Sequence, residues 1–242
     1  MAVDFDKAAY YYDAMYGNEE EYRTEAEHIR KLAQKYGAGK RLIDIACGTG
    51  LAAKYLLRDF CVTGVDLSER MLDKARKNAP GARFLRGDMF SFSLREKFDI
   101  AVNLYGSAGF AKDTDALAAM CACAYKCLAG GGLFILTPWS TRETFAESIT
   151  ADSGRRGGLA FCRMEAVRRK DARHAEIEMI HLTGENGTLD TARFVQEISI
   201  FSEREYRDAL AEAGFCILER LAEAEFRMGA FVCQKMCIRD RT

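Results

Sequence analysis

The chain has 242 residues, with 35 basic and 36 acidic side chains and a net charge of -1. That length allows one sizeable core with an appended subdomain. The balanced charge, with no like-charge block beyond a pair or triplet, argues against a nucleic-acid partner, which would demand a basic face.

No apolar run approaches the roughly 20 residues that span a bilayer, and Met1 to Tyr16 lacks a basic start followed by an apolar segment, so a cytoplasmic protein is expected. The cysteine count is nine; it is odd and accompanied by no export signal, which reads as reduced thiols rather than a disulfide framework. Cys121, Cys123 and Cys127 fall in an Ala-rich segment, Asp113 to Leu128, where Leu117, Cys121, Ala124 and Leu128 follow helical spacing. Core packing is expected there and no metal site, because the neighbourhood offers no further ligands.

In chain order, an aromatic and acidic opening to Tyr16 precedes a helix over Glu19 to Tyr36, stopped at Gly37-Ala38-Gly39. Leu42 to Ala46 reads as a buried strand closed by Gly48-Thr49-Gly50, with a helix over Leu51 to Leu57. Cys61 to Val65 is a second strand ending at Asp66, and Ser68 caps a helix that turns Met71, Leu72 and Ala75 inward. Ala82 to Leu85, Phe98 to Leu104 and Leu133 to Thr137 complete five strands alternating with helices. Parallel strands need long crossovers, and the helices supply them, so the pattern predicts an α/β doubly wound core.

From Leu159 the period changes to two. Phe161 to Arg169, Ala175 to Thr183 and Ala192 to Phe201 alternate apolar with charged residues, broken at Asp171 and Gly184-Glu185-Asn186-Gly187, which predicts an inserted antiparallel meander. It can serve as a lid, a homodimer surface, or both. Ser202 to Glu205 is a capping box opening a helix with Tyr206, Leu210 and Ala213, and strands Phe215 to Leu221 and Phe226 to Cys233 close the sheet. The predicted division is a helical N-terminal cover (1–36), a core (37–138 and 202–235) and an inserted subdomain (139–201). Residues 236–242 carry no pattern and read as a disordered or foreign tail.

Ligands of open α/β sheets bind outside the carboxyl ends of the strands. There the chain offers Asp44-Ile45-Ala46-Cys47-Gly48-Thr49-Gly50, whose glycines permit a tight turn and close backbone approach at a helix N-terminus. Gly48-Thr49-Gly50-Leu51-Ala52-Ala53 also satisfies a dinucleotide pattern, with Asp66 near the distance of a ribose-binding acid, so a nicotinamide cofactor is one reading. Against it, the only Tyr with Lys four places on, Tyr36 and Lys40, precedes the loop. For it to be an adenosyl site instead, a second acid is needed, and Asp88 in Gly87-Asp88-Met89 can accept from an adenine amine while Met89 and Leu67 pack on the ring.

Leu42 to Gly50, Gly64-Val65-Asp66-Leu67-Ser68-Glu69-Arg70-Met71-Leu72, Gly87-Asp88-Met89 and Phe98-Asp99-Ile100-Ala101-Val102 together resemble the successive motifs of Rossmann-like S-adenosylmethionine-dependent methyltransferases. The resemblance implies a seven-stranded, mostly parallel sheet with its last strand antiparallel. It assigns the Gly48 to Gly50 loop to the methionine part of the cofactor and Asp66 to the ribose, with Ala46, Cys47 and Tyr22 as further cofactor contacts; Asp44, just ahead of the loop, can orient it or reach the cofactor ammonium through water. Leu67, Met71, Asp88 and Met89 fall to the adenine, and Asn103 and Leu104, in the stretch to Gly106, lie near the sulfonium. Asp99, which begins its strand, reads as structural.

A narrower likeness joins Tyr12-Asp13 and Tyr16, Tyr22 in Glu21 to Glu27, Ser107-Ala108-Gly109-Phe110, Pro138-Trp139 and the meander to N-methyltransferases of nucleotide-linked amino sugars. Phe110 and Gln196 stand where those enzymes tend to carry Tyr and His. The acceptor implied is a small polar metabolite, methylated on nitrogen or oxygen, and a non-catalytic cofactor-binding protein is the other class of reading.

Methyl transfer from a sulfonium needs orientation above all. An ammonium acceptor must also lose a proton, for which the resemblance puts Tyr16 first and Tyr12 behind it. Period two puts His181 and Gln196 on otherwise apolar faces of the meander, His181 as a further proton carrier and Gln196 as a substrate contact. Tyr105, Phe110 and Trp139 are the other expected substrate contacts, whereas His28 and His174 read as solvated.

Overall fold

A computed structural model describes residues 9–156 and 158–236. The expectations made for residues 1–8 and for the tail at 237–242 lie outside the described residues. Two helices open the described chain, α1 (Tyr12–Tyr16) and α2 (Glu19–Lys35). Then β1 (Arg41–Ile45), α3 (Leu51–Leu56), β2 (Cys61–Asp66), α4 (Glu69–Asn78), β3 (Arg83–Arg86), β4 (Phe98–Asn103), α5 (Thr114–Cys127) and β5 (Leu128–Leu136) alternate. After the insertion come α6 (Glu203–Ala213), β10 (Phe215–Leu221) and β11 (Ala230–Lys235). They form a seven-stranded sheet in the order β10-β11-β5-β4-β1-β2-β3, parallel except at β11, which runs antiparallel to both its neighbours.

Both faces of this sheet are covered, and alternation along each strand decides which residue goes where. Leu42 of β1 with Ile100 and Val102 of β4 joins Ile29, Leu56 and Leu72 on one side. Ile43, Ile45 and Ala101 join Leu117, Cys121, Phe134, Tyr206 and Leu210 on the other. Burying each of these Ile and Leu side chains contributes about 1.5–3 kcal/mol. The eight described cysteines are free thiols, and Cys121 and Cys127 are core residues of α5, as the helical spacing predicts.

Three of the helices, α4, α5 and α6, start at side-chain caps. Ser68 accepts from the Met71 N–H at 3.1 Å and Asp113 from the Ala116 N–H at 2.8 Å. At α6 both halves of the capping box are made between Ser202 and Glu205. Asp99 has the structural role expected of it, its carboxylate taking Arg41 at 2.9 Å across the strand beginnings.

Outside the insertion, four features differ from the sequence expectation. Strand β5 starts at Leu128 rather than Leu133, because the glycine-rich stretch loops out as a bulge between the Phe98–Leu128 and Ile100–Leu133 pairs. The last strand starts at Ala230, and Phe226 is instead buried in the preceding loop. His28 is half-buried rather than solvated, its ring 5.9 Å from that of Phe226. His174 is also half-buried, held 2.9 Å from Asp171.

The insertion has four strands, β6 (Ser148–Arg156), β7 (Leu159–Arg169), β8 (His174–Glu185) and β9 (Thr188–Ser199), paired antiparallel in that order. Strand β6 is the one the sequence does not reveal, since every residue in it is exposed and no apolar alternation marks it. On the inner face the register lines up rows across the sheet: Thr150, Glu165, Met179 and Phe194 in one, Asp152, Arg163, His181 and Ala192 in the next. That face roofs the carboxyl ends of the parallel strands.

Candidate active site

The carboxyl end of β1 is where the backbone bends hardest. Ala46 and Gly48 take φ of +63 and +53, and nothing lies within 4 Å of the Cβ that Gly48 lacks, so its backbone faces open space. Asp66, at the end of β2, holds the bend: one carboxylate oxygen accepts the Gly48 N–H at 2.8 Å and the other the Ser68 N–H at 2.9 Å. Each oxygen keeps a further lone pair for a ligand hydroxyl. Burial raises the Asp66 carboxyl pKa, opposed by those backbone donors. Asp44 is 2% exposed, and burial, reinforced by the nearby Asp66 charge, pushes its carboxyl up to about 7.

At the end of β3, Asp88 accepts the Phe90 N–H at 2.9 Å, fixing a turn that buries Met89. Leu67, 61% exposed, stands over the same edge. These groups share one cavity of about 720 Å³ with Met71, Leu104, Tyr105, Phe110 and Trp139. Ala46, Tyr105 and Met228, three of the four described non-glycine residues with positive φ, line it. Each such conformation costs of order 1–3 kcal/mol, a cost that tends to concentrate where a ligand dictates the backbone path.

The roof completes the cavity with Ile177, Met179, His181, Phe194 and Gln196 from β8 and β9. Tyr12 and Tyr16, with ring centroids 4.7 Å apart, enter from α1. The Tyr16 hydroxyl donates to Met179 Sδ at 3.5 Å, and the Arg163 guanidinium carbon lies 4.4 Å from its ring centroid. Burial raises the pKa of both tyrosine hydroxyls. His181 is 3% exposed, both ring nitrogens lack a partner among the described residues, and burial lowers its pKa to about 4, so the imidazole is neutral at pH 7. Helix α1 is fastened to the glycine bend by Asn78, whose amide donates at 2.9 Å to both Asp13 and the Thr49 carbonyl.

The structure thus gathers all but two of the sequence-predicted site residues around one space, Tyr22, Cys47 and Asp44 among them. Gly50 and Asn103 are not in the lining. Gly50 caps α3 at φ +71, where a Cβ would come within 2.9 Å of Ala75, so its role is helix packing. Asn103 is fully buried and donates to the Ile45 carbonyl at 2.9 Å, clamping β4 to the end of β1 beneath the bend.

Sequence reasoning did not single out Arg163, Glu165, Asp152 and Arg156 of the roof, nor Arg227 and Met228 before β11. Arg163 and Glu165 share the inner face with Phe161 and Val167, so the signal that exposed His181 and Gln196 was present on β7 as well. Arg227 lies 5.3 Å from the Tyr105 ring centroid and pairs with Glu21; it sits in a loop that periodicity cannot read.

A bend of open backbone, a carboxylate at each of two further strand ends and an apolar slot of Leu67, Met71 and Met89 suit a nucleoside with a charged tail. This is a Rossmann-like nucleoside-cofactor site. Residues 42–132 match the family model described as a methyltransferase domain. The chain is 35% identical over 228 residues, covering 91% of it and 94% of the relative, to the dTDP-3-amino-3,4,6-trideoxy-alpha-D-glucopyranose N,N-dimethyltransferase of Streptomyces venezuelae.

Among solved structures it resembles Streptomyces venezuelae DesVI, with a TM-score of 0.87 and 31% identity over 98% of this chain and all (100%) of that one. It also resembles the S-adenosylmethionine-bound amino pentose methyltransferase CalS10 of Micromonospora echinaspora, at 0.83 and 28%, covering 93% of this chain and 96% of that one. The chain belongs to the Rossmann-like S-adenosylmethionine-dependent methyltransferases. It is an enzyme that uses S-adenosylmethionine to methylate a small molecule. The cofactor supplies a methyl group on a positively charged sulfur; what the protein adds is a water-poor space that holds an acceptor against it. Among the described residues no helix is long and apolar enough to cross a membrane.

Proposed function

We propose that the acceptor is the amine of a nucleotide-linked amino sugar, methylated on nitrogen. The reading rests on the near-full-length similarity to the Streptomyces venezuelae N,N-dimethyltransferase, which extends through the inserted roof as well as the core. The inner face of the roof also fits: Arg156 and Arg163 give it cations for a diphosphate, beside carboxylates for an amine.

The proposed division of labour follows the walls of the cavity. Asp66 takes the ribose hydroxyls, and Asp88 takes the adenine amine with Leu67, Met71 and Met89 against the ring. The 46–48 backbone, Asp44, Tyr22 and Leu104 hold the methionine end. Tyr105, Phe110, Trp139 and Gln196 bound the acceptor, while Tyr16, backed by Tyr12 and His181, faces the reacting nitrogen. Residues 9–36 then act as a cover, 37–138 and 202–235 as the cofactor-binding core, and 139–201 as the acceptor-binding subdomain. Its outer face carries the exposed Ile149, Met164, Ile180 and Leu182 and is proposed as the contact of a homodimer.

Transfer of labelled methyl groups to dTDP-3-amino-3,4,6-trideoxyglucose, tested beside amino acids and phenols, decides the acceptor. Preferential labelling of the amino sugar is expected. Labelling only of a phenol or an amino acid would overturn the reading.

A further inference from the structure

The acceptor side of the cavity holds one carboxylate that the roles above leave unused. Glu165 lies on the inner face of β7, half-buried, in register with Thr150 of β6 and Met179 of β8. Met179 is the residue whose sulfur accepts the Tyr16 hydroxyl, so Glu165 and Tyr16 meet over the same stretch of roof. No hydrogen bond or ion pair engages the Glu165 carboxylate among the described residues; Arg163, two places along its own strand, acts on it only through its field. Asp152, the neighbouring acid on β6, is differently placed, since it sits 3.9 Å from Arg163. A carboxylate facing a cavity from an apolar row of Met179 and Phe194 is costly to leave without a partner, and the partner that repays it is a cation.

Resting on the amino-sugar reading, we infer that Glu165 is the group that binds the acceptor's ammonium and removes its proton before methyl transfer. The proton passes from nitrogen to a carboxylate oxygen, freeing the nitrogen lone pair. That pair forms the nitrogen–carbon bond as the carbon–sulfur bond breaks, its electrons remaining on sulfur to give S-adenosylhomocysteine. Burial raises the Glu165 pKa, which brings it nearer to that of an amine and makes it a better proton acceptor than an exposed carboxylate. The charged and titratable groups around it are Arg163 on β7, Asp152 and Arg156 on β6, His181 on β8 and Tyr16 on α1. Of these, His181 is neutral and low in pKa, and Tyr16 is held protonated, which leaves Glu165 as the base without a competing charge pair.

The test compares wild type, Glu165→Gln and Glu165→Asp. Calorimetry with S-adenosylhomocysteine checks that the fold and the cofactor site are intact, and equal affinity in all three is expected. Calorimetry then measures dTDP-3-amino-3,4,6-trideoxyglucose against dTDP-4,6-dideoxyglucose, which differs from it only in a hydroxyl in place of the amine. Wild type should prefer the amine about tenfold or more and E165Q should lose that preference. In turnover, E165Q should fall about 100-fold and lose the acidic limb of the pH–rate profile, with E165D recovering part of both. A wild type that methylates the amino sugar while E165Q keeps both its preference and its profile overturns the role of Glu165 and leaves the acceptor reading standing. A wild type that neither binds nor methylates the amino sugar overturns both.

Discussion

The two sheets of this molecule solve opposite problems. The seven-stranded sheet is covered on both faces, and the last four residues of β5, Leu133–Leu136, are wholly inaccessible. The four-stranded sheet has an inner face over the cavity and an outer face in water, and its edge strand β6 is exposed along its whole length. In the first, position is dictated by packing, so the bend at Gly48 and the carboxylate of Asp66 are held by backbone hydrogen bonds to elements that cannot shift alone. In the second, the cavity-facing side chains rest on fewer neighbours and include Arg163, Glu165, His181 and Gln196. In the proposed division of labour, the sheet covered on both faces serves an invariant cofactor, and the sheet with one face in water serves the acceptor.

That contrast breaks if variants of the floor and the roof behave alike. The largest effect is expected for Asp66→Ala, which removes ligand contacts and strips the Gly48 and Ser68 N–H groups of their acceptor. Calorimetry should show affinity for S-adenosylhomocysteine falling by at least about 100-fold, each charged hydrogen bond contributing roughly 1.5–3 kcal/mol. Next comes Tyr16→Phe on α1, beneath the roof and hydrogen-bonded to its Met179, expected to lower kcat about tenfold while leaving cofactor affinity within about twofold. Equal cofactor affinity in these two variants would erase the division between the floor of the cavity and the side that the roof and α1 enclose.

A smaller effect sharpens the account of the floor. Asp44, with an ordinary carboxyl pKa of 3.8, is raised to about 7 in the fold, so the folded protein keeps a proton that the unfolded chain has lost. The contribution of Asp44 to stability is therefore fullest below about pH 4 and is lost as pH rises through about 7. Glu25, raised to about 8 by burial, acts in the same direction. Asp44→Asn should flatten part of that decline, seen as a Tm several degrees above wild type at pH 8 without ligand and unchanged at pH 4. The smallest effect on the site belongs to the double substitution Met164→Glu with Ile180→Glu on the outer face. Cofactor affinity should be unchanged, while sedimentation shows the proposed homodimer dissociating.

The same contrast governs how much the sequence discloses. Strands with one or two buried faces announce themselves through apolar period, which is why β1, β2, β4 and the inner faces of β7 to β9 are legible. Residues 148–156 bury nothing, so β6 has no periodic signal at all. Strand-end acids such as Asp66 and Asp88 are legible because the fold class says where ligands sit. Arg227 is not, because it reaches the cavity from a loop whose path depends on Phe226 burying itself elsewhere. Gly50 and Asn103 lie beside the bend in sequence or in register but outside the cavity lining, a difference that periodicity cannot show: a Cβ on the one would meet Ala75, and the amide of the other is bonded to Ile45.

Strand β11 runs against its neighbours, with Phe231 beside Leu136, so it begins at the edge where the parallel strands finish. Arg227 and Met228, just ahead of it, are therefore delivered to the same cavity as the bend at Gly48 from a distant part of the sequence. A ligand that touches both joins segments of the chain that meet only once β11 has docked beside β5. Occupancy accordingly stabilises the folded molecule as a whole rather than either segment by itself.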